Sequence, residues 1–480
     1  MTQTVPRGYF PAGRTADEIS AAQFRPAPRI GRERKIRRAA VAAGLLSVLG
    51  VVLLWAFGSG QFSALPGQRA TALGRLAGLL AADLVLLQLI TMARSPWLET
   101  AVGRDRLTRW HRWTGFSSIN LLLLHIILIT VGYATAGGVS VVAQSWDFVV
   151  NYPGILLAVG ATLALLMVVA TSVRIARRRL RYESWHLLHL YAYLGAGLAL
   201  PHQLWSGQDF RSSPAATAFW WGLWAAAVSA VVGFRVLLPL WRSLRHRLVV
   251  RAVVAERPGV YSIVMSGKGL DRLGLRAGQF CQWRFLAGDG WSRAHPFTVS
   301  APVTADTVRI TVELVGDGSH AMALLRAGTR VLFEGPYGTM TADRRTHRDA
   351  LLIAAGAGIT PMRGLAEEIC AEAPAGGVRR PSVVVLHRIR HASDALFVDE
   401  FHTLARSGRC KLWHLVGRRG AAGGWTPGGW DVAKLHEIVP DLTQRAVYVC
   451  GDEAWMRSVR EFLLSVGLGS DQILCERFST

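Results

Sequence analysis

The chain has 480 residues, more than one ordinary domain holds, and 51% hydrophobic against 18% charged residues excludes a disordered chain and a purely soluble fold. Lysine and arginine number 54 against 32 acidic residues, a net charge of +22. These charges border long apolar runs instead of forming one basic face, and no nucleic-acid motif occurs, so a lipid bilayer is the expected partner and a nucleic acid is not. The cysteines, Cys281, Cys370, Cys410, Cys450 and Cys475, are scattered without CxxC spacing, which argues against zinc ribbons, iron–sulfur clusters and a disulfide scaffold.

Residues 1–38 are polar and basic without an apolar core, the pattern of a cytoplasmic tail and not of a cleavable signal. Six apolar segments follow within residues 39–240, each near the ~20 residues that cross a hydrocarbon core. They are Ala39–Gly58, Leu76–Met92, Trp113–Tyr133, Tyr152–Val173, Trp185–Leu204 and Ala215–Leu238. Alternate connections are basic: Arg29 to Arg38, Arg94 to Arg112, the cluster of Arg174, Arg177, Arg178, Arg179 and Arg181, and Arg242 to Arg251. The others carry almost no basic residues, Arg69 and Arg211 excepted, so the positive-inside rule predicts a multi-pass cell-membrane protein with both termini in the cytoplasm.

Polar side chains inside such helices are expensive, and their positions carry information. The third segment has His111 at its cytoplasmic start and His125 fourteen residues on, about 21 Å along a helix. The fifth has His186, His189 and His202, and His189 to His202 is about 19.5 Å. Both segments run outward, so the spacing predicts two levels, His111 with His189 near the cytoplasm and His125 with His202 near the exterior. Two facing imidazoles at each level suit two stacked haems; helix–helix hydrogen bonding is the competing use of any one of them. Thirteen residues is about 140° out of phase on a regular helix, and Pro201 supplies a local break. Phase does not separate His186 from His189, whereas the match in rise favours His189. Asp83 and Gln88 in the second segment stay unassigned, with pairing to Arg75 or Asn120 an open alternative for the carboxylate.

Beyond Arg242 the pattern changes. Over residues 245–345, Val249–Val254, Tyr261–Met265, Gln279–Phe285, Val308–Leu314 and Arg330–Phe333 alternate like half-buried strands of an antiparallel barrel. Over residues 346–480, Ala350–Ala354, Ser382–His387, Lys411–Val416 and Ala446–Cys450 read as strands, with helices after Pro361 and Asp452, a doubly wound α/β domain. The predicted fold is thus a six-helix membrane bundle, a β-barrel and an α/β nucleotide-binding domain.

Four motifs in this half carry chemistry. His295-Pro296-Phe297-Thr298, followed by Ser300, offers an aromatic face and donors, as an isoalloxazine and its ribityl chain require. Glu334-Gly335-Pro336-Tyr337-Gly338 closes a strand, where Gly335 and Gly338 allow close backbone approach. Leu351 to Pro361 runs from an apolar strand through Gly356 and Gly358 to a helix start at Thr360 and Pro361, which can seat a pyrophosphate on free N–H groups. Val447 to Asp452 places Cys450 and Gly451 at a second strand-to-turn junction. Any one of these could be a plain turn; their order and separation favour a nucleotide-binding flavoprotein.

Together these residues resemble the ferric reductase and NADPH oxidase superfamily, over roughly residues 38 to 478. The resemblance implies a six-helix di-haem membrane domain fused to a ferredoxin-NADP reductase-like module that binds FAD, NADPH or NADH, and two b-type haems. It implies that His111, His125, His189 and His202 are the haem ligands. His295, Pro296, Phe297 and Thr298 are similar to the flavin motif, and Gly318 and Ser319 sit where the family contacts the flavin pyrophosphate. Gly356, Gly358, Thr360 and Pro361 resemble the nucleotide loop, and Cys450-Gly451 the element beside the nicotinamide, although Asp452 stands where the family often has proline. Glu476-Arg477-Phe478 resembles the terminal element that shields the flavin, with two residues beyond Phe478.

Arg388, Arg390 and Arg418 follow the second and third α/β strands; a guanidinium fork there suits a 2′-phosphate and favours NADPH over NADH, against the alternative of solvated surface arginines. The expected activity is electron transfer from cytoplasmic NAD(P)H through FAD and two haems to an external small-molecule acceptor. A ferric or cupric chelate leads, and dioxygen reduced to superoxide comes second. A haem-free anchor carrying a cytoplasmic flavin reductase is a further alternative, as is a subunit feeding a membrane partner or quinone pool. No required protein partner is indicated.

Overall fold

The computed structural model describes residues 29–58, 66–180, 182–288, 291, 293–315, 317–372, 379–418, 425–427 and 432–477. The chain divides between Trp241 and Arg242 into two compact units.

The first unit is helical. Its elements are α1 (Arg29–Ala56), α2 (Pro66–Thr91), the short α3 (Pro96–Val102), α4 (Arg104–Gly137), α5 (Val141–Asn151), α6 (Ile155–Ser172), α7 (Arg174–Arg179), α8 (Tyr182–Trp205) and α9 (Pro214–Val231). A π-helical turn, Val232–Leu237, joins α9 to α10 (Leu238–His246). Among the described residues five helices are long and apolar enough to cross a membrane: Gly31–Ala56, Gly67–Thr91, Arg104–Gly137, Ile155–Ser172 and Pro214–His246. The expected Trp185–Leu204 span lies in α8, which is 24 residues long but falls short in apolarity. Glu183, His186, His189, His202 and Gln203 dilute it. The tail expected over residues 1–38 is helical from Arg29 onward; its earlier part lies outside the described residues.

Small residues let the helices approach. A Cβ on Gly67 would lie 2.9 Å from the Gly132 carbonyl oxygen, one on Gly74 would lie 3.0 Å from Ile129, and one on Gly195 would lie 2.9 Å from Leu165. Without water, van der Waals contact through such seams drives helix association, here of α2 with α4 and α6 with α8. Val51, Leu79, Leu86, Trp220 and Trp224 fill the core between α1, α2 and α9. Asp83 is buried in that core, where the Ser47 hydroxyl donates to it at 2.5 Å, so its partner is neither Arg75 nor Asn120. Gln88 donates to the Ser118 hydroxyl at 3.2 Å.

The second unit takes in the end of α10 and continues with strands. Over the region expected to form a barrel, the described residues make two three-stranded antiparallel sheets. One has the order β1 (Val249–Arg257), β2 (Val260–Ser266), β5 (Thr307–Glu313); the other has β4 (His295–Thr298), β3 (Phe280–Phe285), β6 (Val331–Tyr337). Isolated bridges, Val249 to Arg330 and Val299 to Ile310, join the two sheets, and Ile263, Met265, Cys281, Trp283 and Phe333 fill the space between them. Helix α11 (Asp317–Ala323) follows β5.

A parallel sheet comes next, ordered β11-β10-β7-β8-β9, from β7 (Asp349–Ala355), β8 (Val383–Ile389), β9 (Cys410–Val416), β10 (Arg445–Gly451) and β11 (Ile473–Arg477). Its helices are α12 (Ile359–Ala371), α13 (Val398–Arg406), α14 (Val432–Ile438) and α15 (Glu453–Ser465). Apolar cores cover the sheet on two sides, as strands buried on both faces require. The chain starts at β7, winds to β9, then returns to β10 on the other side of β7. The crevice at the carboxyl ends of β7 and β10 is therefore a topological switch point, where such sheets bind ligands.

Candidate functional site

The membrane unit brings its histidines together in pairs. The rings of His111 and His189 have centroids 5.8 Å apart, and those of His125 and His202 are 6.4 Å apart. Two imidazoles bound to opposite sides of one metal, at about 2 Å per bond, have their centroids about 6 Å apart. Helices α4 and α8 are not among the closely packed helix pairs and meet through these rings. The out-of-phase spacing of His189 and His202 thus does not keep either from its partner on α4, and Pro201 lies inside α8. Among the described residues no group of three or more histidine, cysteine, aspartate or glutamate side chains could hold a bare metal ion. A porphyrin brings four nitrogens of its own, so a pair of imidazoles would suffice to hold its metal.

Hydrogen bonds orient two of the rings. Nδ1 of His125 lies 2.8 Å from the Gly74 carbonyl oxygen. A carbonyl can only accept, so Nδ1 carries the proton and Nε2 keeps its lone pair. Nδ1 of His189 shares a hydrogen bond of 3.2 Å with the Ser172 hydroxyl, which also accepts from the Trp185 indole. The Nδ1 atoms of His111 and His202 are buried without a partner among the described residues.

On the flavin side, His295 to Thr298 form β4, pairing with β3 so that Cys281 faces Phe297 and Trp283 faces His295. The His295 and Phe297 rings lie on one side of the strand, 6.1 Å apart and 11° from parallel, a flat aromatic surface. Trp283 donates to the Phe297 carbonyl at 2.9 Å and pins that surface in place. Pro296 is exposed and Thr298 buried. Ser300 is fully buried, and its hydroxyl accepts from Arg309 Nε at 3.1 Å and from the Thr311 hydroxyl at 2.9 Å, so this side chain is committed inside the protein.

What approaches the glycines of the second motif is protein. A Cβ on Gly335 would lie 2.7 Å from Cys281 Sγ, and one on Gly338 would lie 2.5 Å from Glu476 Oε1. The Glu476 carboxylate accepts from the Thr339 and Met340 amides at 3.3 and 3.2 Å, tying β11 to the loop after β6. Gly318 and Ser319 lie in α11, where the Ser319 hydroxyl accepts from the Val315 amide at 3.0 Å. Phe478 lies outside the described residues.

The nucleotide loop sits at the switch point. Gly356 takes φ +53°, in the left-handed region, and a Cβ on Gly358 would lie 2.3 Å from the Cys450 carbonyl oxygen, so only glycine lets β7 turn this close to β10. Thr360 and Pro361 are buried in the first turn of α12, where proline's missing N–H costs nothing. That turn lies beyond the carboxyl end of β7, beside the crevice where a pyrophosphate would sit. Cys450 is fully buried and its thiol is pushed well up by burial, so it serves as packing and backbone beside the loop and not as a thiolate. Gly451 packs against Trp455 and Ala355. Asp452 caps α15 by accepting from the Ala454 and Trp455 amides.

Arg390 and Arg418 come together in a pocket of about 810 Å³ lined also by Arg388, His391 and Asp452. Two further contributors escape sequence reading. His387 Nε2 lies 3.0 Å from the Gly356 carbonyl, bracing the nucleotide loop from β8; its signal is one imidazole directly after four apolar strand residues. Glu400 on α13 accepts both Arg309 Nη atoms at 2.8 and 3.0 Å and pairs with Arg363, linking β5 to the α/β domain. No local pattern announces it.

Residues 77–200 match the family model described as the ferric reductase like transmembrane component, and residues 352–461 match the oxidoreductase NAD-binding domain. The chain is 26% identical over 225 residues to the NADH oxidoreductase HCR of Escherichia coli (strain K12), covering 46% of this chain and 65% of that protein. It is 27% identical over 253 residues to an NADPH oxidoreductase of Mycobacterium tuberculosis (strain ATCC 25618 / H37Rv), covering 50% and 62%. The match spans under two thirds of the length of both curated relatives. A ferredoxin NADP+ reductase from Neisseria gonorrhoeae, solved with bound FAD and NADP, aligns with TM-score 0.39 and 19% identity over 48% of this chain and 97% of that one.

The chain thus joins a ferric reductase-like transmembrane component to an oxidoreductase NAD-binding domain, and over about half its length it is similar to NAD(P)H oxidoreductases. That order of domains matches the fused architecture of the ferric reductase and NADPH oxidase superfamily, which the sequence resembles.

Proposed function

We propose that the chain carries electrons from cytoplasmic NADPH through FAD and two b-type haems to an external ferric or cupric chelate, as a multi-pass cell-membrane protein with both termini in the cytoplasm. The observation that carries this reading is the pairing of imidazoles at two levels between α4 and α8, with ring separations of 5.8 and 6.4 Å. Bound at these residues, the nicotinamide, flavin and haem groups would supply hydride donation, splitting of the electron pair and single-electron relay.

The chain's own residues position and insulate. His111 and His189 would hold the inner group and His125 and His202 the outer, with Gly74 fixing the His125 tautomer. The His295–Phe297 surface would carry the flavin ring, and we read the two bridged sheets around it as the expected barrel. Gly356, Gly358 and the first turn of α12 would seat the nucleotide pyrophosphate, while Gly451 lets the β10 end lie against them. The Arg390 and Arg418 guanidinium groups, sharing one pocket, would take a 2′-phosphate. That pocket supports NADPH over NADH.

A reduced-minus-oxidised spectrum of the purified chain, with haem quantified, tests the reading. Two bis-histidine haems per chain are expected, and His125→Ala should remove one while NADPH-to-flavin transfer persists. A colourless preparation, or unchanged haem content in His125→Ala and His202→Ala, overturns it. For the nucleotide, an Arg390→Ala, Arg418→Ala chain should show KM for NADPH raised about 10- to 100-fold, the loss of one or two charge-assisted contacts, with NADH little changed. Equal effects on both nucleotides would remove the 2′-phosphate assignment.

A further inference from the structure

We infer that Arg235 anchors a carboxylate of the porphyrin held at the His111–His189 level; this rests on the haem reading above. A guanidinium inside a membrane span is costly unless it meets an anion or faces a polar interior. Arg235 lies within the span Pro214–His246, in the π-helical turn Val232–Leu237. Such turns re-aim side chains and recur at functional sites.

The guanidinium is aimed into the bundle. Its Nη1 donates to the Tyr193 hydroxyl on α8 at 3.1 Å and approaches the Met92 carbonyl, beyond the end of α2, at 3.4 Å. Both acceptors are neutral, and among the described residues no carboxylate lies at ion-pair distance. Nε and Nη2 have no partner there, so most of a five-donor fork is uncommitted. Tyr193 follows His189 by four residues on the same face of α8, about 6 Å along the axis. The cation therefore stands one turn from an inner-level imidazole. Other cations at this level are placed differently: Arg112 is exposed, and Arg177 lies over the Trp185 ring at 4.5 Å.

Haem b brings two carboxylates on its rim, and a planar guanidinium binds carboxylate in a bidentate fork. An arginine seeking lipid phosphate would instead extend its stem outward to the interface. A positive charge beside one haem favours the electron on that iron and raises its potential relative to the same site without the charge.

The test is a spectroscopic redox titration of the purified full-length chain, wild type, Arg235→Gln and Arg235→Lys. Glutamine can still bond Tyr193; lysine keeps the charge without the fork. With two haems retained, one of the two titration steps should move to more negative potential in Arg235→Gln and by a smaller amount in Arg235→Lys, the other step staying in place. Should glutamine prevent accumulation of the protein, the lysine variant alone decides by the same single-step shift. Two haems with both steps unmoved in either variant overturns the inference and leaves Arg235 to lipid phosphate. A chain without haem removes the underlying reading instead, and the two failures are told apart by the pigment.

Discussion

His387 shows how one side chain can couple a scaffold to its site. It lies on β8, fully buried, and touches the nucleotide loop through the Gly356 carbonyl. Burial lowers its pKa to about 4, outweighing the Gly356 bond, which raises it. The folded value lies below the ordinary 6.5. As pH falls from 6.5 toward 4 the unfolded chain therefore gains a proton that the folded chain refuses, and stability declines by up to about 3 kcal/mol. Denaturation midpoints of His387→Gln should lose most of this acid slope while the wild type keeps it; parallel slopes would place the acid sensitivity elsewhere. Ser300 teaches the converse. Its motif position suggests a ligand contact, yet Arg309 and Thr311 already use its hydroxyl, because sequence spacing cannot say which way the bend after β4 aims a side chain.

At the scale of elements, the seam between α2 and α4 sets the histidine geometry. A Cβ on Gly78 would lie 2.5 Å from His125 Nδ1, the atom that bonds Gly74. Gly78→Ala should push the ring off its carbonyl and lower haem content from about two per chain toward one, as read by pyridine haemochrome. Unchanged content would mean that the seam yields instead. The match in rise between His111–His125 and His189–His202 was legible in the sequence because helical rise is regular. The break after α9 was not, since a π turn depends on packing that no periodicity encodes. Likewise β4 was legible as a motif but not as a strand, its four residues being too few to show alternation.

For the whole molecule, the division between Trp241 and Arg242 separates two sets of cores, one around Trp220 and Trp224 and the others around the sheets. The contacts of Arg242 and Ser243 belong to the sheet side: the Arg242 guanidinium donates to the Gly335 carbonyl, and the Ser243 hydroxyl accepts from the Phe333 amide at 3.2 Å. A fragment of residues 242–480 should fold, bind FAD and oxidise NAD(P)H with a soluble one-electron acceptor, without haem absorbance. Aggregation of that fragment under conditions where the full chain is monodisperse would show that the reductase cores need the membrane unit. The net charge of +22 belongs to the same scale: the arginines of the first half cluster at the ends of apolar segments.

The sequence by itself determined the two-part plan, most helices and strands, the glycine turns and the two histidine levels. All of these are written in windows of about 20 residues or fewer, as apolar length, period or fixed rise. Only the tertiary structure decided that Asp83 meets Ser47, that Glu476 holds the loop after Gly338, that Glu400 joins β5 to α13 and that His387 braces Gly356. Those partners lie from 31 to 137 residues apart in the chain, and which of them meet depends on how sheets and helices register once packed.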